Sequence, residues 1–500
     1  DAFVAHLKGD YDNVVGFPVK KVADMLARFR APTLRVDVED VNFPGNEGVA
    51  RSGGRKLLVP GAVIGDAVRV QIVRDRVDAA VAEIVRVERS SPFRVEPLCP
   101  HFGSCGGCVF QSTDYQKQLE IKSRRLERIL REAGVFEDGD GHLRDVVPSP
   151  EIYGYRNKME FGFGEEGGDL VIGLRQRGQN LRKSRSRTVA LAQCPILGPF
   201  VESLFPTVLQ FARSQGLGPH NTRTGQGVLR HLVVREGKRT GDLMILVVTA
   251  PAPEVDFLPL AEALAQRLPR LKSFYRVVNS RVCDLVNFGD KHVVLGSPWI
   301  EERLGGLAFR IYPETFFQTN TAAAERLYDA LGREAGLSPA SRVLGLYCGS
   351  GAIEIGLSRL AAEVTGIDLS VENIRNAVEN AAINGVANCV FMIGAVETLP
   401  RNPAEPTADV LILDPPRAGI SPLAMKHVLT IETPTIAYVS CNPASLIRDI
   451  KKLMTRGYRV ATITPFDFFP HTPHIETLTI LRQGAKSSER SKSTRLNSSH

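Results

Sequence analysis

The strongest constraint on the fold comes from residues 410–443, where two apolar runs of strand length each end in polar residues. The first run, VLIL, continues into DPPR (414–417), and the second, IAYV, continues into SCNP (440–443). A helical pattern separates them, as in a parallel α/β sheet. The carboxyl ends of parallel strands form the ligand crevice of such a sheet. The two motifs are therefore predicted to face one pocket that holds a carboxylate and a thiol.

The thiol of this pair, Cys441, is a candidate nucleophile. Pro443 fits the first position of a helix with the sequence ASLIRDIKKL, which places Cys441 near the amino end of that helix. Unpaired N–H groups and the helix dipole favour a thiolate there. The alternative is a small buried apolar residue, which is the commoner role of a cysteine. The strand-end position and the polar neighbours favour the nucleophile.

A second pattern, SRVLGLY-CGSG-AIEIGL, predicts a strand, a glycine turn and a helix. Gly349 and Gly351 permit close approach of the backbone to a ligand, and Asp368 ends the next strand, where a ribose diol would be held. Glu354 stands where the dinucleotide fingerprint has its third glycine, so adenosine without a pyrophosphate fits better than NAD or ATP. The preceding TFFQTN (315–320) is either core with a helix cap or the wall of a ligand site.

The remainder of the chain divides by composition. A length of 500 residues predicts roughly three domains. Short β-rich runs and Gly-rich turns in 34–92 predict a small antiparallel barrel, which either binds single-stranded nucleic acid or is only structural. Residues 93–310 contain runs such as HLVVRE and LMILVVTA and predict a β-rich central domain. Residues 1–33 hold only a weak amphipathic helix, VKKVADMLARFR, and the Ser-rich residues 484–500 are interpreted as a tail or a cloning scar.

Four of the eight cysteines lie in two contexts rich in glycine or proline. The run LCPHFGSCGGC holds Cys99, Cys105 and Cys108, and AQCPIL holds Cys194. A flexible backbone lets such thiolates approach one metal centre, whereas a disulfide framework is unexpected in a cytoplasmic chain of this length. Zinc also accepts four thiolates, but its structural sites more often use two short cysteine pairs. The spacing favours an iron–sulfur cluster and leaves zinc as the alternative.

Charge and hydropathy indicate the partners and the compartment. A net charge of +7 is compatible with a nucleic-acid partner but does not establish one. Six cations with no acidic residue among them favour an RNA contact over a solvated loop. They are Arg175, Arg177, Arg182, Lys183, Arg185 and Arg187. No apolar run is long enough to span a bilayer and the amino end shows no export signal, so we expect a cytoplasmic protein.

A further helix is predicted from QKQLEIKSRRLERILRE (116–132). Its cations include Lys122, Arg125 and Arg128, interleaved with glutamates. This mixture favours an ordinary solvated helix face. Near the carboxyl end, Glu476 opens a strand that follows a His/Pro loop, where a general base is possible because the loop should return toward the carboxyl ends of the sheet.

Together with the cysteine runs, several motifs resemble the RNA uracil-C5 methyltransferase family over residues 34–483. They are FFQTN, LYCGSG, GIDLS, LDPPRAG, SCNPASLIRDI and HIETL, in this order. The resemblance implies a TRAM barrel at 34–92, a central domain at 93–310 and a doubly wound methyltransferase domain at 311–483. It also implies S-adenosylmethionine and a 4Fe-4S cluster as cofactors, and ribosomal or transfer RNA as substrate. No obligate protein partner is evident in the sequence, so we expect a monomer.

The resemblance assigns roles to individual residues. The cluster ligands are Cys99, Cys105, Cys108 and Cys194. The S-adenosylmethionine positions are Gln318, Tyr347, Asp368 and Asp414. Cys441 is the nucleophile and Glu476 the base that removes a proton. The sequence departs from the family at two positions, since Gly345 stands where an acidic residue is frequent and Asp368 replaces a more usual Glu.

The chemistry of uracil supports these roles independently. Uracil C5 is too weakly nucleophilic to take a methyl group unaided, so a thiolate adds at C6 and a base later removes the C5 proton. Cys348, beside the glycine turn, is the rival thiol, and His474 is the rival base. Two other classes remain as alternatives: an iron–sulfur oxidoreductase that uses a dinucleotide, and a non-catalytic RNA-binding protein.

Overall fold

The computed structural model describes residues 33–43, 45–136, 142–177, 187–251, 255–281, 286, 288–398 and 408–484. The chain divides into two compact units. The first runs to Gly103 and includes Cys108–Gln118, and the second comprises Ser104–Gly107 and the chain from Leu119 onward. The amphipathic helix predicted within residues 1–33 and the tail from residue 485 lie outside the described residues. Among the described helices, none has the length and apolar character needed to cross a bilayer.

The first unit contains the sheet predicted for residues 34–92. Its order is β1-β5-β6-β4-β3-β2, and the pairs are antiparallel except β4 with β6. Alternating apolar residues such as Val68 and Val70 of β5 turn inward and are fully buried. The strands are β1 (Leu34–Asp37), β2 (Asp40–Asn42), β3 (Glu47–Ser52), β4 (Arg55–Val59), β5 (Ala67–Asp75) and β6 (Ala80–Arg89).

The second unit begins its regular structure with a long helix and a largely antiparallel central sheet. Helix α1 (Tyr115–Glu132) starts in the residues of the first unit and continues in the second. The sheet order is β13-β12-β11-β10-β7-β8-β9, with one parallel pair, β11 with β12. The strands are β7 (Lys158–Glu166), β8 (Asp169–Arg175), β9 (Thr188–Ala190), β10 (Leu229–Glu236), β11 (Leu243–Thr249), β12 (Leu271–Val278) and β13 (Asp290–Gly296); the helices are α2 (Val201–Ser214) and α3 (Leu258–Arg267).

The carboxyl-terminal sheet has the order β18-β17-β16-β19-β20-β22-β21. The five strands from β18 to β20 are parallel, and β22 and β21 are antiparallel additions. The strands are β16 (Arg342–Leu346), β17 (Glu363–Asp368), β18 (Cys389–Ile393), β19 (Val410–Leu413), β20 (Thr435–Ser440), β21 (Tyr458–Phe466) and β22 (Glu476–Gln483). The chain fills one side of β16 first and then the other, so the topological switch point lies between β16 and β19.

Helices and one hairpin accompany this sheet and confirm the doubly wound α/β class. The hairpin is β14 (Ile300–Leu304) with β15 (Leu307–Ile311). The helices are α4 (Thr321–Ala335), α5 (Ala352–Leu357), α6 (Val371–Ile383), α7 (Pro422–Val428) and α8 (Pro443–Met454), with 3₁₀ turns at Ser358–Leu360 and Val396–Thr398.

One hydrophobic core serves both sheets of the second unit. Val233 and Leu246 of the central sheet and Leu327, Ile355 and Ile412 of the carboxyl-terminal part belong to the same buried cluster. The domain boundary predicted at residues 310 and 311 remains a prediction, and this core runs across it. We therefore expect the two sheets to unfold together.

Candidate active site

The predicted site residues meet at the carboxyl edge of the parallel strands. Tyr347 directly follows β16, Asp368 ends β17, Asp414 follows β19 and Cys441 follows β20. Glu476 begins β22, which runs antiparallel to β20, and the last pair in their register joins Ser440 to Thr477. The amino end of β22 therefore lies beside the carboxyl end of β20, which brings Glu476 next to Cys441.

The environment of Cys441 corrects one expectation from the sequence. The side chain is half-buried at the amino end of α8, as predicted, and Asn442 caps that helix by accepting from the Ala444 N–H at 3.2 Å. Burial, and next the charge of Glu476, raises the pKa of Cys441 to about 11, while Arg417 acts in the opposite direction. The expectation that the helix end holds a thiolate in the unliganded protein is wrong, because burial and neighbouring carboxylates outweigh the dipole.

The two carboxylates beside this thiol are also perturbed. Burial raises the pKa of Asp414 to about 7. Glu476 is 3% exposed, and burial, followed by the charge of Asp414, holds its pKa well above the ordinary value. Both carboxylates therefore bind a proton more readily than an ordinary carboxylate, which suits a group that accepts a proton during a reaction.

The loop after Asp414 is fixed by helix α8. Asp449 accepts hydrogen bonds from the Ile420 N–H at 2.8 Å and from the Tyr438 hydroxyl at 2.7 Å. Arg448 donates to the carbonyl of Ala418 at 2.9 Å. Gly419 has φ 77°, and a Cβ there would overlap both side chains. The DPPRAG motif is therefore held in one conformation by residues of the SCNPASLIRDI motif.

The predicted glycine turn follows β16, the strand next to β19 in the sheet. Tyr347, Gly349 and Gly351 have positive φ angles of 64°, 55° and 75°. Such backbone in a non-glycine residue is uncommon and is often found at functional sites. Asp368 accepts from the Gly349 N–H at 3.0 Å and from the Ser370 N–H at 2.9 Å, so it joins the turn to α6. The ribose contact predicted for Asp368 stays a prediction.

The TFFQTN segment contains the core residue and the helix cap of the first alternative from the sequence. Asn320 caps α4 by accepting from the Ala323 N–H at 3.1 Å, and Phe317 is core. Phe316 is 56% exposed and lies against Gly349, while its carbonyl accepts from the Ser350 hydroxyl at 3.0 Å. Gln318 is buried, and its backbone carbonyl accepts from the Asn157 amide at 2.8 Å. The segment is thus core and helix cap, and its exposed Phe316 lies against the glycine turn; the ligand contact predicted for Gln318 stays a prediction.

The two rival groups are less suited to catalysis. Cys348 is 9% exposed, and burial together with the charges of Glu354 and Asp368 raises its pKa far above the ordinary value. Burial lowers the pKa of His474 to about 4, which makes it a weak base. The geometry therefore favours Cys441 and Glu476.

A cationic group beside His474 was missed by the sequence analysis. Arg417, Lys122, Arg156 and Arg125 all lower the pKa of His474 electrostatically. Lys122 was assigned to a solvated helix face, but it is 2% exposed and its ammonium lies 2.6 Å from a carboxylate oxygen of Asp467. These cations come from distant segments, so no local pattern in the sequence reveals the group.

Tyr328 was missed for the same reason. It lies on α4, and burial, followed by the charges of Asp414, Glu354 and Glu476, raises its pKa well above the ordinary value. The Tyr328 hydroxyl thus lies within electrostatic range of three carboxylates that belong to separate segments of the chain.

The four predicted cluster cysteines are all described, but they do not form a metal site. Within the described ranges, no three His, Cys, Asp or Glu side chains are grouped so as to hold a metal ion. Cys99 and Cys108 belong to the first unit, and Cys105 and Cys194 to the second. The Cys105 sulfur accepts from the Gly107 N–H at 3.4 Å, and no disulfide joins any of the four.

The basic loop is described only in part. Arg182, Lys183 and Arg185 lie outside the described residues. Arg187 pairs with Glu166 of the neighbouring strand β7, so at least one of the six cations has an acidic partner that the local sequence does not show.

Comparison with known families places these features in a class. The family model of tRNA (uracil-5-)-methyltransferases matches residues 404–484, which include Cys441 and Glu476. A TRAM domain matches residues 28–85, and a conserved hypothetical family matches residues 318–441. The fold and the site thus define an S-adenosylmethionine-dependent RNA methyltransferase with an amino-terminal TRAM domain.

Whole-chain relatives narrow the class to a family. An uncharacterized RNA methyltransferase of Clostridium tetani is 33% identical over 462 residues, which cover 92% of this chain and 99% of the relative. An uncharacterized RNA methyltransferase of Caldanaerobacter subterraneus is 36% identical, and the match covers 90% of this chain and 98% of that relative. The structure of the Pyrococcus abyssi tRNA (uracil-54, C5)-methyltransferase with S-adenosyl-L-homocysteine superposes with a TM-score of 0.70, at 30% identity, over 90% of this chain and 100% of that one. The chain belongs to the RNA uracil-C5 methyltransferase family, which decides against the oxidoreductase alternative.

Proposed function

We propose that this enzyme methylates C5 of a uridine in ribosomal or transfer RNA through a covalent bond between Cys441 and C6. The observation that carries the proposal is the position of Cys441 and Glu476 at the adjacent ends of β20 and β22. Cys441 is thereby available to attack C6, and Glu476 is available to take the proton from C5.

In the first step, the Cys441 sulfur bonds to C6 of the uracil. The thiol must lose its proton, and Asp414, with a pKa of about 7, is suited to accept it near neutral pH. Addition breaks the C5=C6 double bond and gives C5 the character of an enolate carbon. S-adenosylmethionine, when bound, supplies the electrophilic methyl group that C5 attacks.

In the second step, Glu476 takes the proton from the methylated C5. The electron pair re-forms the C5=C6 bond and expels the Cys441 thiolate, which recovers its proton from Asp414. The raised pKa of Glu476 makes it a stronger base than an ordinary carboxylate. Glu476 later releases its proton to solvent, so the net products are methylated RNA, S-adenosylhomocysteine and one proton.

The charge around the pocket supports an RNA substrate. Arg417, Arg156 and Arg125 lie close enough to His474 to shift its pKa, beside the catalytic pair. Positive charge at the mouth of the site attracts the phosphates that flank the target uridine. The TRAM domain and the basic loop at 175–187 would add contacts further along the RNA. We expect the enzyme to act as a monomer in the cytoplasm.

We also propose that Cys99, Cys105, Cys108 and Cys194 bind a 4Fe-4S cluster. The proposal rests on the family resemblance and on thiol chemistry. It does not rest on the geometry, since the described side chains do not form a metal site. The N–H···S bond from Gly107 to Cys105 is of the type that stabilises cluster thiolates.

The test uses RNA from cells that lack the gene, incubated with the purified enzyme and methyl-labelled S-adenosylmethionine. We expect label in 5-methyluridine at a defined position, found by nuclease digestion and mass spectrometry. Label on another base, or on a ribose oxygen, would contradict the proposal. The mapped position also identifies which RNA is the substrate.

A further inference from the structure

The buried carboxylate of Glu354 has no role in the methyl transfer. Glu354 lies on α5 and is 1% exposed. Its Oε2 atom has no hydrogen-bond partner among the described residues. A buried acceptor without a donor destabilises the protein, and more so when the group is charged. An unsatisfied buried polar atom calls for an explanation, and a donor supplied by a bound ligand is one.

The position of this carboxylate is set by Gly345 in β16. A Cβ at residue 345 would overlap Oε1 of Glu354, so the missing side chain leaves the space that the carboxylate fills. In the sheet register, Gly345 is opposite Gly366 of β17 and Ile412 of β19. Paired residues share one face of a sheet, and Glu354 therefore covers that face.

Two more carboxylates lie on the same face. Asp368 follows Gly366 by two residues and Asp414 follows Ile412 by two, so strand alternation directs both side chains to the side of Glu354. Consistent with this, burial raises the pKa of Glu354 to about 8, and the charges of Asp414 and Asp368 contribute in the same direction. Two carboxylates at strand ends and the one on α5 thus lie on one face of the sheet, and three carboxylates together are suited to a cation.

S-adenosylmethionine carries two cationic groups, a sulfonium and an α-ammonium. A sulfonium has no hydrogen to donate, whereas an ammonium has three N–H donors. The unpartnered oxygen of Glu354 needs a donor. With the ribose at Asp368 and the methyl group directed toward Cys441, the amino-acid end of the cofactor remains for the space over β16.

We propose that Glu354 binds the α-ammonium group of S-adenosylmethionine. This inference rests on the proposed function only in taking that molecule as the methyl donor. It assigns the methionine end of the cofactor to a residue outside the predicted set of Gln318, Tyr347, Asp368 and Asp414.

The test compares three probes by titration calorimetry on the wild type and on Glu354→Gln, which keeps the side-chain shape. S-adenosylhomocysteine has the ammonium without the sulfonium charge, and 5′-methylthioadenosine lacks the amino-acid end. In Glu354→Gln a charge-assisted hydrogen bond to the ligand is lost. The affinities for S-adenosylhomocysteine and for S-adenosylmethionine should therefore fall by the same factor, roughly 10- to 100-fold. The affinity of 5′-methylthioadenosine should not change.

A relocation variant distinguishes binding from a purely structural role. In Gly345→Asp/Glu354→Ala, the carboxylate enters the same space from the strand instead of the helix. This double variant should bind S-adenosylhomocysteine more tightly than Gly345→Ala/Glu354→Ala, which is the matched control without a carboxylate. The melting temperature of each unliganded variant shows whether it is folded.

Three results would overturn the inference. Unchanged binding of S-adenosylhomocysteine to Glu354→Gln means that Glu354 makes no contact with the ligand. Equal weakening of all three probes means that Glu354 only shapes the pocket. Weakening of S-adenosylmethionine alone assigns Glu354 to the sulfonium. If the wild type binds none of the probes, the methyl-donor assignment itself fails, and that result is separate from the other three.

Discussion

The two seven-stranded sheets of the second unit share one core, yet they differ in where they place chemistry. In the carboxyl-terminal sheet five parallel strands end at one edge, and the antiparallel β22 brings Glu476 to the same edge. In the central sheet most neighbours alternate in direction, so successive strand ends lie at opposite edges. Repeated strand direction, more than strand number, gathers distant residues into a site.

The largest expected effect tests whether the strand-end thiol is the nucleophile. Cys441→Ala should lower methyl transfer by a factor on the order of 10⁴ or more, because C5 never becomes nucleophilic. Cys348→Ala, the matched control from the glycine turn, should keep most of the activity. The measurement is single-turnover methylation of RNA with labelled S-adenosylmethionine. Activity lost in Cys348→Ala and retained in Cys441→Ala would move the nucleophile to the glycine turn.

The second prediction distinguishes the role of Glu476, at the start of β22, from that of Cys441, at the end of β20. Glu476→Gln should form the bond to C6 and transfer the methyl group. Its rate of product release should be lower than that of the wild type by a factor of roughly 10² to 10⁴. Enzyme joined covalently to labelled RNA should then accumulate on a denaturing gel. His474→Gln is the control and should show no accumulation. Full turnover by Glu476→Gln would mean that another group takes the proton.

Strand-end chemistry could be predicted from the sequence because it depends on local patterns. The run VLIL ends at Leu413 and IAYV leads to Cys441, and any parallel arrangement of such strands brings their ends together. The glycine turn and the caps of α4 and α8 are equally local. Asn320 and Asn442 lie directly before their helices, and side chains in that position satisfy free N–H groups.

Features that depend on tertiary packing could not be predicted in this way. The ion pair of Lys122 with Asp467 joins residues separated by 345 positions, and a helix rich in both charges gives no sign that one lysine is buried. The pKa of Cys441 depends on burial and on Glu476, neither of which the helix pattern contains. The carboxylate of Glu354 fills the space over Gly345 only because α5 packs on β16.

A third prediction concerns the shared core and the cysteines outside the sheets. Anaerobically purified protein should contain about four irons and four sulfides per chain, and Cys194→Ser should lose them. Because one core spans both sheets, any loss of stability should lower a single melting transition. Calorimetry and iron analysis provide the measurements. Stoichiometric zinc without iron would exclude the cluster, and two separate transitions would show that the sheets unfold independently.

A smaller effect is expected from the basic loop. Changing Arg182, Lys183 and Arg185 to Gln should weaken RNA binding. It should also lower the magnitude of the slope of log affinity against log salt by about 2, since each lost phosphate contact lowers that slope by roughly 0.7. The affinity for S-adenosylhomocysteine should stay the same, because the pocket is formed by the carboxyl-terminal sheet. Filter binding across a range of salt concentrations measures both quantities. An unchanged slope would show that the loop does not contact phosphate.

The smallest effect concerns the coupling between the thiol and its carboxylates. With a pKa of about 11, Cys441 is mostly protonated at neutral pH, and its alkylation by iodoacetamide should accelerate as the pH rises toward that value. Glu476→Gln removes the negative charge that contributes most to this shift, so the pKa of Cys441 should fall and alkylation at pH 9 should become faster. Asp414→Asn should act in the same direction but less, because its charge contributes less to the shift. Cys389, whose raised pKa comes from burial and from Glu354, is the internal control and should react at an unchanged rate. Mass spectrometry of the alkylated peptides gives both rates, and equal alkylation of Cys441 in all three proteins would show that burial alone sets its pKa.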